Sequence, residues 1–179
     1  MILALYEHPH GVETTGGNLA VYDLERNAAS FGAASVPGPA WVWKLAEESE
    51  ADAKLAAPVE LDRTTRWLLR CDRVDFPPGG VAYRHTHPGP GIRCLLHGSI
   101  SIESGGETLV YHAGEPWFES GPQPVRAIAS ESEETAFVRA MVIPRRWAGK
   151  RTISYVDPAD EDKPKLQRAT VFFDEAIEL

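Results

Sequence analysis

Two histidines separated by one residue, His85 and His87, have the type and spacing to bind a metal ion. They end a short run, Val81 to His87, that is predicted to be a β-strand. Residues two apart on a strand project from the same face, so the imidazoles should point the same way, about 6 to 7 Å apart. Two imidazoles converging inside a barrel would supply half of a site for a divalent first-row metal.

The other histidines lack this setting. His8 and His10 have the same spacing, but Pro9 and Gly11 surround them without a strand pattern, so an exposed loop is expected. His97 and His112 each precede a glycine-containing turn, and we expect both to be turn residues rather than metal ligands.

Residues 65 to 143 carry the elements that would position the His85–His87 pair. Short runs rich in β-branched and aromatic residues alternate with Gly and Pro clusters such as Pro77-Pro78-Gly79-Gly80 and Ser104-Gly105-Gly106. The chain has 15 Gly and 14 Pro among its 179 residues, which favours many turns over long helices. This pattern predicts an antiparallel β-barrel or sandwich.

The flanks, residues 1 to 64 and 144 to 179, are expected to be extensions of that barrel. In the N-terminal flank, 18–24 and 41–45 are predicted strands, and 46–55 is a short helix or a solvated loop. In the C-terminal flank, 152–156 and 169–173 are predicted strands. They must cover either their own barrel or a neighbouring subunit, and a homodimer is therefore expected.

Two segments resemble the two conserved motifs of the cupin superfamily. The first runs from Gly80 to Gly98 and contains His85, His87 and Pro88; the second runs from Gly114 to Val125. The resemblance implies an all-β fold, a cupin-type antiparallel barrel of the jelly-roll kind, with N- and C-terminal extensions. It covers 65–143, and it also implies pairing of barrels into dimers. It implies no single activity, because cupins include dioxygenases, isomerases, lyases, binding modules and storage proteins.

The chain departs from the family pattern at two metal ligands. The family's glutamate falls at Gly91 and its second-motif histidine at Pro124, neither of which carries a ligand atom. Glu119 is a candidate replacement. A set of His85, His87 and Glu119 would suit Fe(II), Mn(II), Ni(II) or Zn(II) and leave open positions. The alternative is that Glu119 is structural and the barrel is metal-free.

Strand alternation adds candidate substrate-binding residues. If Gly91 faces inward, so does Arg93, and the loss of a side chain at Gly91 would leave space beside it. Counting from Pro124 places Arg126 inward as well. A buried guanidinium needs a partner, either an acid such as Glu119 or an anionic ligand. Tyr83 and Trp117 are candidate aromatic residues in the wall of the binding space, and ordinary core packing is the alternative for each.

Composition limits the partners. The 18 Lys and Arg against 26 Asp and Glu give a net charge of −8, which disfavours nucleic acid and anionic membranes. The N-terminal apolar run is too short for a signal peptide, and no run approaches a membrane span. Two cysteines, Cys71 and Cys94, lie in apolar runs and are expected to be buried and reduced. A cytoplasmic location is expected.

Two functions remain open from the sequence. The first is a metal-dependent enzyme acting on a small carboxylate-bearing or enolic molecule, with Arg93 holding the anion. The second is a small-acid binding or sensing cupin without metal or turnover. A purely structural dimeric barrel fits less well with inward Arg and His side chains.

Overall fold

The computed structural model describes residues 1–179 and consists of fifteen strands in three antiparallel sheets, with two single 3-10 turns, Arg145–Trp147 and Pro158–Glu161. The strands are β1 (Ile2–His8), β2 (Val12–Asp23), β3 (Ala28–Val36), β4 (Ala40–Ala46), β5 (Leu55–Pro58), β6 (Trp67–Phe76), β7 (Val81–Thr86), β8 (Gly91–His97), β9 (Ser99–Ser104), β10 (Glu107–His112), β11 (Pro116–Glu119), β12 (Val125–Ala129), β13 (Thr135–Pro144), β14 (Ser154–Tyr155) and β15 (Arg168–Ala176). None of the helices has the length and apolar character that crossing a membrane requires.

Strands β6 to β13 form a barrel of two facing sheets. One sheet has the order β6-β13-β8-β11, which are the first, eighth, third and sixth strands of the barrel. The second, seventh, fourth and fifth form the other, in the order β7-β12-β9-β10. This strand order is that of a jelly roll. Apolar side chains from both sheets, including Phe76, Phe137 and Ile102, pack together between them. The predicted all-β fold class is confirmed.

The N-terminal strands form a separate sheet, in the order β3-β2-β4-β1-β5, that covers the outer face of the sheet containing β8. Ile92 and Cys94 face this layer, and Trp43 Nε1 donates a hydrogen bond of 3.0 Å to the Ile92 carbonyl. The predicted strands at 18–24 and 41–45 fall largely within β2 and β4. No helix forms at 46–55, where small alanines offer no continuous apolar face.

The C-terminal strands extend their own barrel. β14 pairs with β7, and β15 pairs with β6, so each covers the edge of one barrel sheet. Of the two alternatives for this flank, the structure places it on its own barrel. An edge strand left bare would expose unpaired backbone groups, which the pairing of β14 with β7 and of β15 with β6 avoids.

A buried ion pair fixes β15 to the barrel. Arg70 on β6 lies opposite Asp174 on β15, and its Nε and Nη2 each lie 2.6 Å from a carboxylate oxygen of Asp174. The same guanidinium donates to the carbonyls of Lys150 and Trp147, and the Gly149 amide donates to Asp174. Arg70 therefore ties β6, β15 and the turn after β13 together.

Both cysteines are free and buried, on the side of the barrel that faces the N-terminal sheet. Burial raises the pKa of the Cys71 thiol well above its usual value and raises that of Cys94 to about 12. Both thiols are therefore protonated at neutral pH and unreactive while the chain is folded.

Substituting Asp174→Ala should lower the free energy of unfolding by about 3–5 kcal/mol, because it leaves the Arg70 guanidinium buried without a carboxylate. Denaturant unfolding of the two proteins measures the difference. Glu175→Ala, an exposed neighbour on the same strand, is the control and should change stability by less than about 0.5 kcal/mol. Equal losses in the two variants would contradict the role given to Asp174.

Candidate functional site

A cavity of about 230 Å³ opens between the two barrel sheets. Its walls are mostly apolar, and its polar groups are concentrated at the inner end and near the mouth. Its volume is below the ~300 Å³ lower end of typical drug-sized ligand pockets, so a small molecule would fill it. The polar lining residues are His85, His87, Arg93, Glu119, Arg139, Arg151, Lys165 and Gln167, together with the hydroxyl-bearing Tyr155.

His85 and His87 converge at the inner end of this cavity. Their Nε2 atoms lie 3.2 Å apart. His85 Nδ1 lies 2.6 Å from the Tyr83 carbonyl, and His87 Nδ1 lies 3.0 Å from the Thr152 carbonyl. Since a carbonyl only accepts, each Nδ1 carries the proton and each Nε2 presents a lone pair. Backbone acceptors on Nδ1 are the usual support for a histidine that binds metal through Nε2.

Burial holds both imidazoles in the neutral form. It lowers the pKa of His85, against the raising effects of the Tyr83 carbonyl and Glu119. Burial lowers the pKa of His87 well below 6.5, and the nearby Arg139 and Arg93 guanidinium groups lower it further. At neutral pH both side chains are therefore uncharged, the state that a metal ligand requires.

Glu119 reaches the same end of the cavity from β11. Its Oε2 lies 3.6 Å from His87 Nε2 and 2.7 Å from Arg93 Nη2. Trp117 Nε1 donates to the other oxygen at 2.9 Å. Oε2 is buried and, despite the close guanidinium, makes no hydrogen bond of normal geometry. Oε2 therefore lies between the Arg93 guanidinium and the His87 imidazole.

The pairing of Arg93 with Glu119 corresponds to one of the two alternatives considered for this arginine. Burial lowers the pKa of Arg93 to about 10, with Glu119 opposing the shift, so the side chain remains charged at neutral pH. Arg93 Nη1 also donates to the Gly91 carbonyl at 2.7 Å.

The expected space at Gly91 does not exist. A Cβ at this position would lie 2.6 Å from Met141 Cγ, 2.7 Å from the Ala140 carbonyl and 3.1 Å from Arg93 Nη1. Arg93 folds back over the glycine and, with Met141, fills the place where a larger side chain would stand. The carboxylate comes instead from Glu119, which is the register partner of Gly91 on the neighbouring strand.

Arg139 and Asp72 belong to the site but were not predicted from the sequence. Arg139 on β13 lies opposite Asp72 on β6, with Nε 2.6 Å and Nη2 3.1 Å from the carboxylate. Arg139 Nη1 lies 3.5 Å from His87 Nε2. Alternation along β13 could have found it, because Phe137 and Arg139 share the inward face while Val138 and Ala140 face the N-terminal sheet.

Two predicted cavity residues lie outside it. Arg126 points to the outer face, with 40% of its side chain exposed, and pairs with Glu103 at 3.0 Å. The inward residues of β12 are Val125 and Ala127, so the count from Pro124 was wrong by one position. Trp117, in contrast, does line the cavity and is buried.

Tyr83 is displaced by an irregularity in β7. The register between β7 and β12 shifts between Ala82 and His85, and both of these side chains face the cavity. Because of this shift, Tyr83 does not face the cavity together with His85, as alternation of side chains would predict. The Tyr83 ring lies outside the cavity, and Lys163 Nζ is 4.9 Å from its centre.

The C-terminal flank closes one side of the cavity. Thr152 supplies the carbonyl that orients His87, and its hydroxyl lies 3.5 Å from Arg139 Nη2. Tyr155 lies opposite His85 in the β14–β7 pairing, with ring centres 6.4 Å apart. Nothing in the sequence places these residues, because long-range contacts, rather than a local motif, bring them to the two histidines.

The positions of the two motifs decide the fold type. Of the first-motif histidines, His85 lies on β7, the second strand of a jelly roll, and His87 follows its last residue; both side chains line the cavity. The second motif runs along β11 to the start of β12, whose side chains line the same cavity. The barrel has the cupin fold.

Comparison with solved structures finds similar chains. An RmlC-like cupin from Shewanella frigidimarina is 18% identical over 44% of this chain and 68% of its own, with a TM-score of 0.40. A polyketide cyclase from Streptomyces resistomycificus is 18% identical over 52% and 62%, with a TM-score of 0.41. A recombinant oxalate oxidase in complex with glycolate is 21% identical over 54% and 52%, with a TM-score of 0.43. This chain thus spans less than two thirds of the cyclase and about half of the oxidase.

No family model matches this sequence, and no curated protein matches it either. Within the chain, no group of three or more His, Cys, Asp or Glu side chains is arranged to hold a metal ion as it stands. Two converging imidazoles and a carboxylate held by Arg93 are what the cupin cavity provides.

The neutral imidazoles should make metal-stripped protein sensitive to acid. A histidine whose pKa is lowered by folding costs no stability above its unfolded pKa near 6.5. Stability is lost as pH falls from that value toward the folded pKa, because the unfolded chain takes up the proton first. The free energy of unfolding should therefore fall between pH 7 and pH 5, as measured by denaturant unfolding, and fall less in His87→Gln. The same pH dependence in both proteins would contradict a neutral buried His87.

Proposed function

We propose that this chain is a small-molecule cupin in which His85 and His87 bind a divalent first-row metal, Fe, Mn, Ni or Zn, and the cavity accepts a small carboxylate-bearing or enolic molecule. The observation that carries the proposal is the pair of Nε2 atoms 3.2 Å apart, each on an imidazole whose Nδ1 donates to a backbone carbonyl.

That separation suits a shared cation. Two nitrogens about 2.0–2.1 Å from one ion, at angles between octahedral and tetrahedral, are separated by about 2.8 to 3.4 Å. Without a cation or a proton between them, two lone pairs at this distance repel each other. The side chains of His85 and His87 thus fit the group that the cupin fold implies.

Glu119 is the proposed third ligand. Its Oε2 is buried, lies 3.6 Å from His87 Nε2 and has no hydrogen bond of normal geometry. Glu119 lies opposite Gly91 in the pairing of β11 with β8, so in this proposal β11 supplies the carboxylate that β8 lacks. The same carboxylate would then serve both the metal and Arg93.

Charge balance supports an anionic ligand. Inside the cavity, Arg93 and Arg139 are balanced by Glu119 and Asp72, and both imidazoles are neutral. A divalent cation would leave an excess of two positive charges in an apolar barrel, which is costly unless an anion compensates. A carboxylate or enolate would supply that compensation.

Each group at the site would have a separate role in the proposed reaction. A bound metal would polarise an oxygen of the ligand or bind dioxygen. The guanidinium of Arg93 and that of Arg139, which lies 3.5 Å from His87 Nε2, would hold negative charge that develops on the ligand. Apolar walls such as Phe76 and Phe137 exclude water from the ligand body. Dioxygenase, isomerase and lyase chemistry all use such a site.

A second candidate is a metal-free cupin that binds a small acid. It is favoured by the absence of a complete set of three acidic, histidine or cysteine ligands, and by the Arg93–Glu119 pair, which occupies the carboxylate. Arg151 and Lys165 near the mouth of the cavity add positive charge that would attract an acid.

Two further parts of the proposal concern context. We place the protein in a reducing cytoplasm, in keeping with its two free thiols. We also keep the proposed homodimer. Since β14 and β15 pair with their own barrel, the surface for it would be the exposed edge strand β10, where Leu109 and Val110 are each 54% exposed.

Native protein purified without chelators or metal-affinity resin should contain about one equivalent of a first-row metal per chain. His85→Ala should reduce occupancy roughly tenfold or more, because it removes a direct ligand. Elemental analysis measures both. His112→Ala, an exposed histidine at the end of β10, is the control and should retain the metal.

Native protein that stays folded yet takes up none of the four metals would overturn the metal proposal. Retention of full occupancy in both His85→Ala and His87→Ala would place the metal elsewhere.

The two candidate functions differ in how variants affect acid binding. Under the metal proposal, His85→Ala should weaken binding of a small carboxylate such as benzoate roughly tenfold or more, because a ligand of the metal that holds the acid is lost. Under the metal-free alternative, His85→Ala should leave affinity nearly unchanged while Arg93→Met removes it. Calorimetric titration of both variants, after their fold is checked by circular dichroism, separates the two.

A further inference from the structure

A second cavity, of about 370 Å³, adjoins the first, and the side chains of Trp117 and Glu119 line both. The other residues that line it come mainly from β9, β10 and the loop that follows β11. That loop contributes two polar side chains, Ser120 and Gln123. The Glu119 carboxylate thus borders two spaces that contain polar groups, and its direction must be fixed if it is to serve the first.

Trp117 and Arg93 contact different oxygens of the Glu119 carboxylate. The Trp117 indole N–H donates to Oε1 at 2.9 Å, whereas Arg93 Nη2 lies 2.7 Å from Oε2. Oε2 is also the oxygen that lies 3.6 Å from His87 Nε2. Because each oxygen has its own partner, the plane of the carboxylate is fixed, which a contact to one oxygen alone would not achieve.

The Trp117 ring is itself held in place by its neighbours. It stacks on Tyr111 with ring centres 5.0 Å apart, and it packs edge-on against Phe137 at 5.2 Å. The residue is buried, and an indole nitrogen can only donate a hydrogen bond. The donor is therefore oriented before any metal or ligand binds, as a group that supports a metal ligand should be.

The Trp117 hydrogen bond also limits how Arg93 can pair with Glu119. Arginine and a carboxylate frequently pair through two parallel hydrogen bonds that engage both oxygens. Here Oε1 already accepts from Trp117, and Arg93 Nη1 donates to the Gly91 carbonyl instead. Arg93 therefore contacts Oε2 alone. A carboxylate oxygen has lone-pair sites for two partners, so Oε2 can contact Arg93 and still bind a metal beside His87.

We propose that Trp117 is a positioning residue of the metal site: its N–H binds one oxygen of Glu119, so that the other oxygen stays directed at the metal. This inference rests on the proposed function, in which Glu119 is the third ligand. It gives the indole a role in metal binding that the other aromatic residues of the cavity, such as Phe137, cannot have, because they carry no donor.

The test is the affinity of metal-stripped protein for Zn(II), or for whichever of the other three proposed metals binds, at the site that His85→Ala removes. Calorimetric titration measures it. Trp117→Phe keeps an aromatic ring at this position but has no N–H, and it should weaken binding roughly tenfold or more, as the loss of groups that orient metal ligands does. Tyr111→Phe is the matched control. It removes a hydroxyl, keeps the ring that stacks on Trp117 and should bind the metal as the native protein does.

A double-mutant cycle shows whether the indole acts through the carboxylate. Glu119→Ala should itself weaken metal binding roughly tenfold or more, while the two imidazoles remain to bind the ion. Adding Trp117→Phe to Glu119→Ala should then change the affinity by less than about twofold, because no carboxylate is left to orient. An indole that only packs against its neighbours would cause the same loss with and without Glu119.

Circular dichroism and thermal unfolding check that each variant is folded. If Trp117→Phe does not fold, a crystal structure of the metal-loaded native protein decides the question. Glu119 Oε1 should lie within hydrogen-bond distance of Trp117 Nε1, and Oε2 should bind the ion. A metal bound through Oε1, or through both oxygens, would overturn the positioning role.

The outcomes separate the two proposals. Suppose that the native protein binds the metal, but folded Trp117→Phe binds it equally well, Glu119→Ala has no effect, or Trp117→Phe causes the same loss with and without Glu119. Each of these results overturns the positioning role of Trp117 and leaves the metal site at His85 and His87 in place. If folded native protein takes up none of the four metals, the proposed function fails and the inference fails with it.

Discussion

Ion pairing inside the barrel is the constraint on which the site depends. Arg93 and Arg139 are register partners on β8 and β13, so two arginine side chains enter the same mainly apolar cavity. Such an arrangement is stable only with compensating acids, which Glu119 and Asp72 supply at 2.7 and 2.6 Å. The Arg93–Glu119 pair positions the carboxylate, while burial, reinforced by the positive charges of Arg139 and Arg93, keeps His87 neutral.

The N- and C-terminal flanks complete the barrel and its cavity. The N-terminal sheet covers the outer face through residues such as Trp43, while the C-terminal strands cover one edge of each barrel sheet. Thr152 adds the carbonyl that orients His87, so the second imidazole depends on a residue outside the motifs. A barrel of residues 65 to 143 alone would lack that contact, the Arg70–Asp174 pair and one wall of its cavity.

Local patterns predicted the barrel and the paired histidines well, because turns and two-residue alternation are local properties of a strand. They failed where the chain leaves ideal geometry or where distant segments meet. The register shift in β7 moves Tyr83 out of the cavity. Counting inward positions on β12 from Pro124 wrongly placed Arg126 in the cavity, whereas its side chain lies on the outer face. The space expected at Gly91 is filled by the folded-back Arg93 and by Met141, which no pattern of single residues reveals. Tyr155 reaches the cavity only through pairing of β14 with β7.

We propose that one cation lies between His85 and His87. Anomalous diffraction from crystals of the native protein, recorded at the absorption edge of whichever first-row metal elemental analysis finds, would locate it. We expect one strong anomalous peak per chain, about 2.0–2.2 Å from both Nε2 atoms and within bonding distance of Glu119. No peak between the imidazoles, or a peak bound elsewhere on the chain, would contradict it.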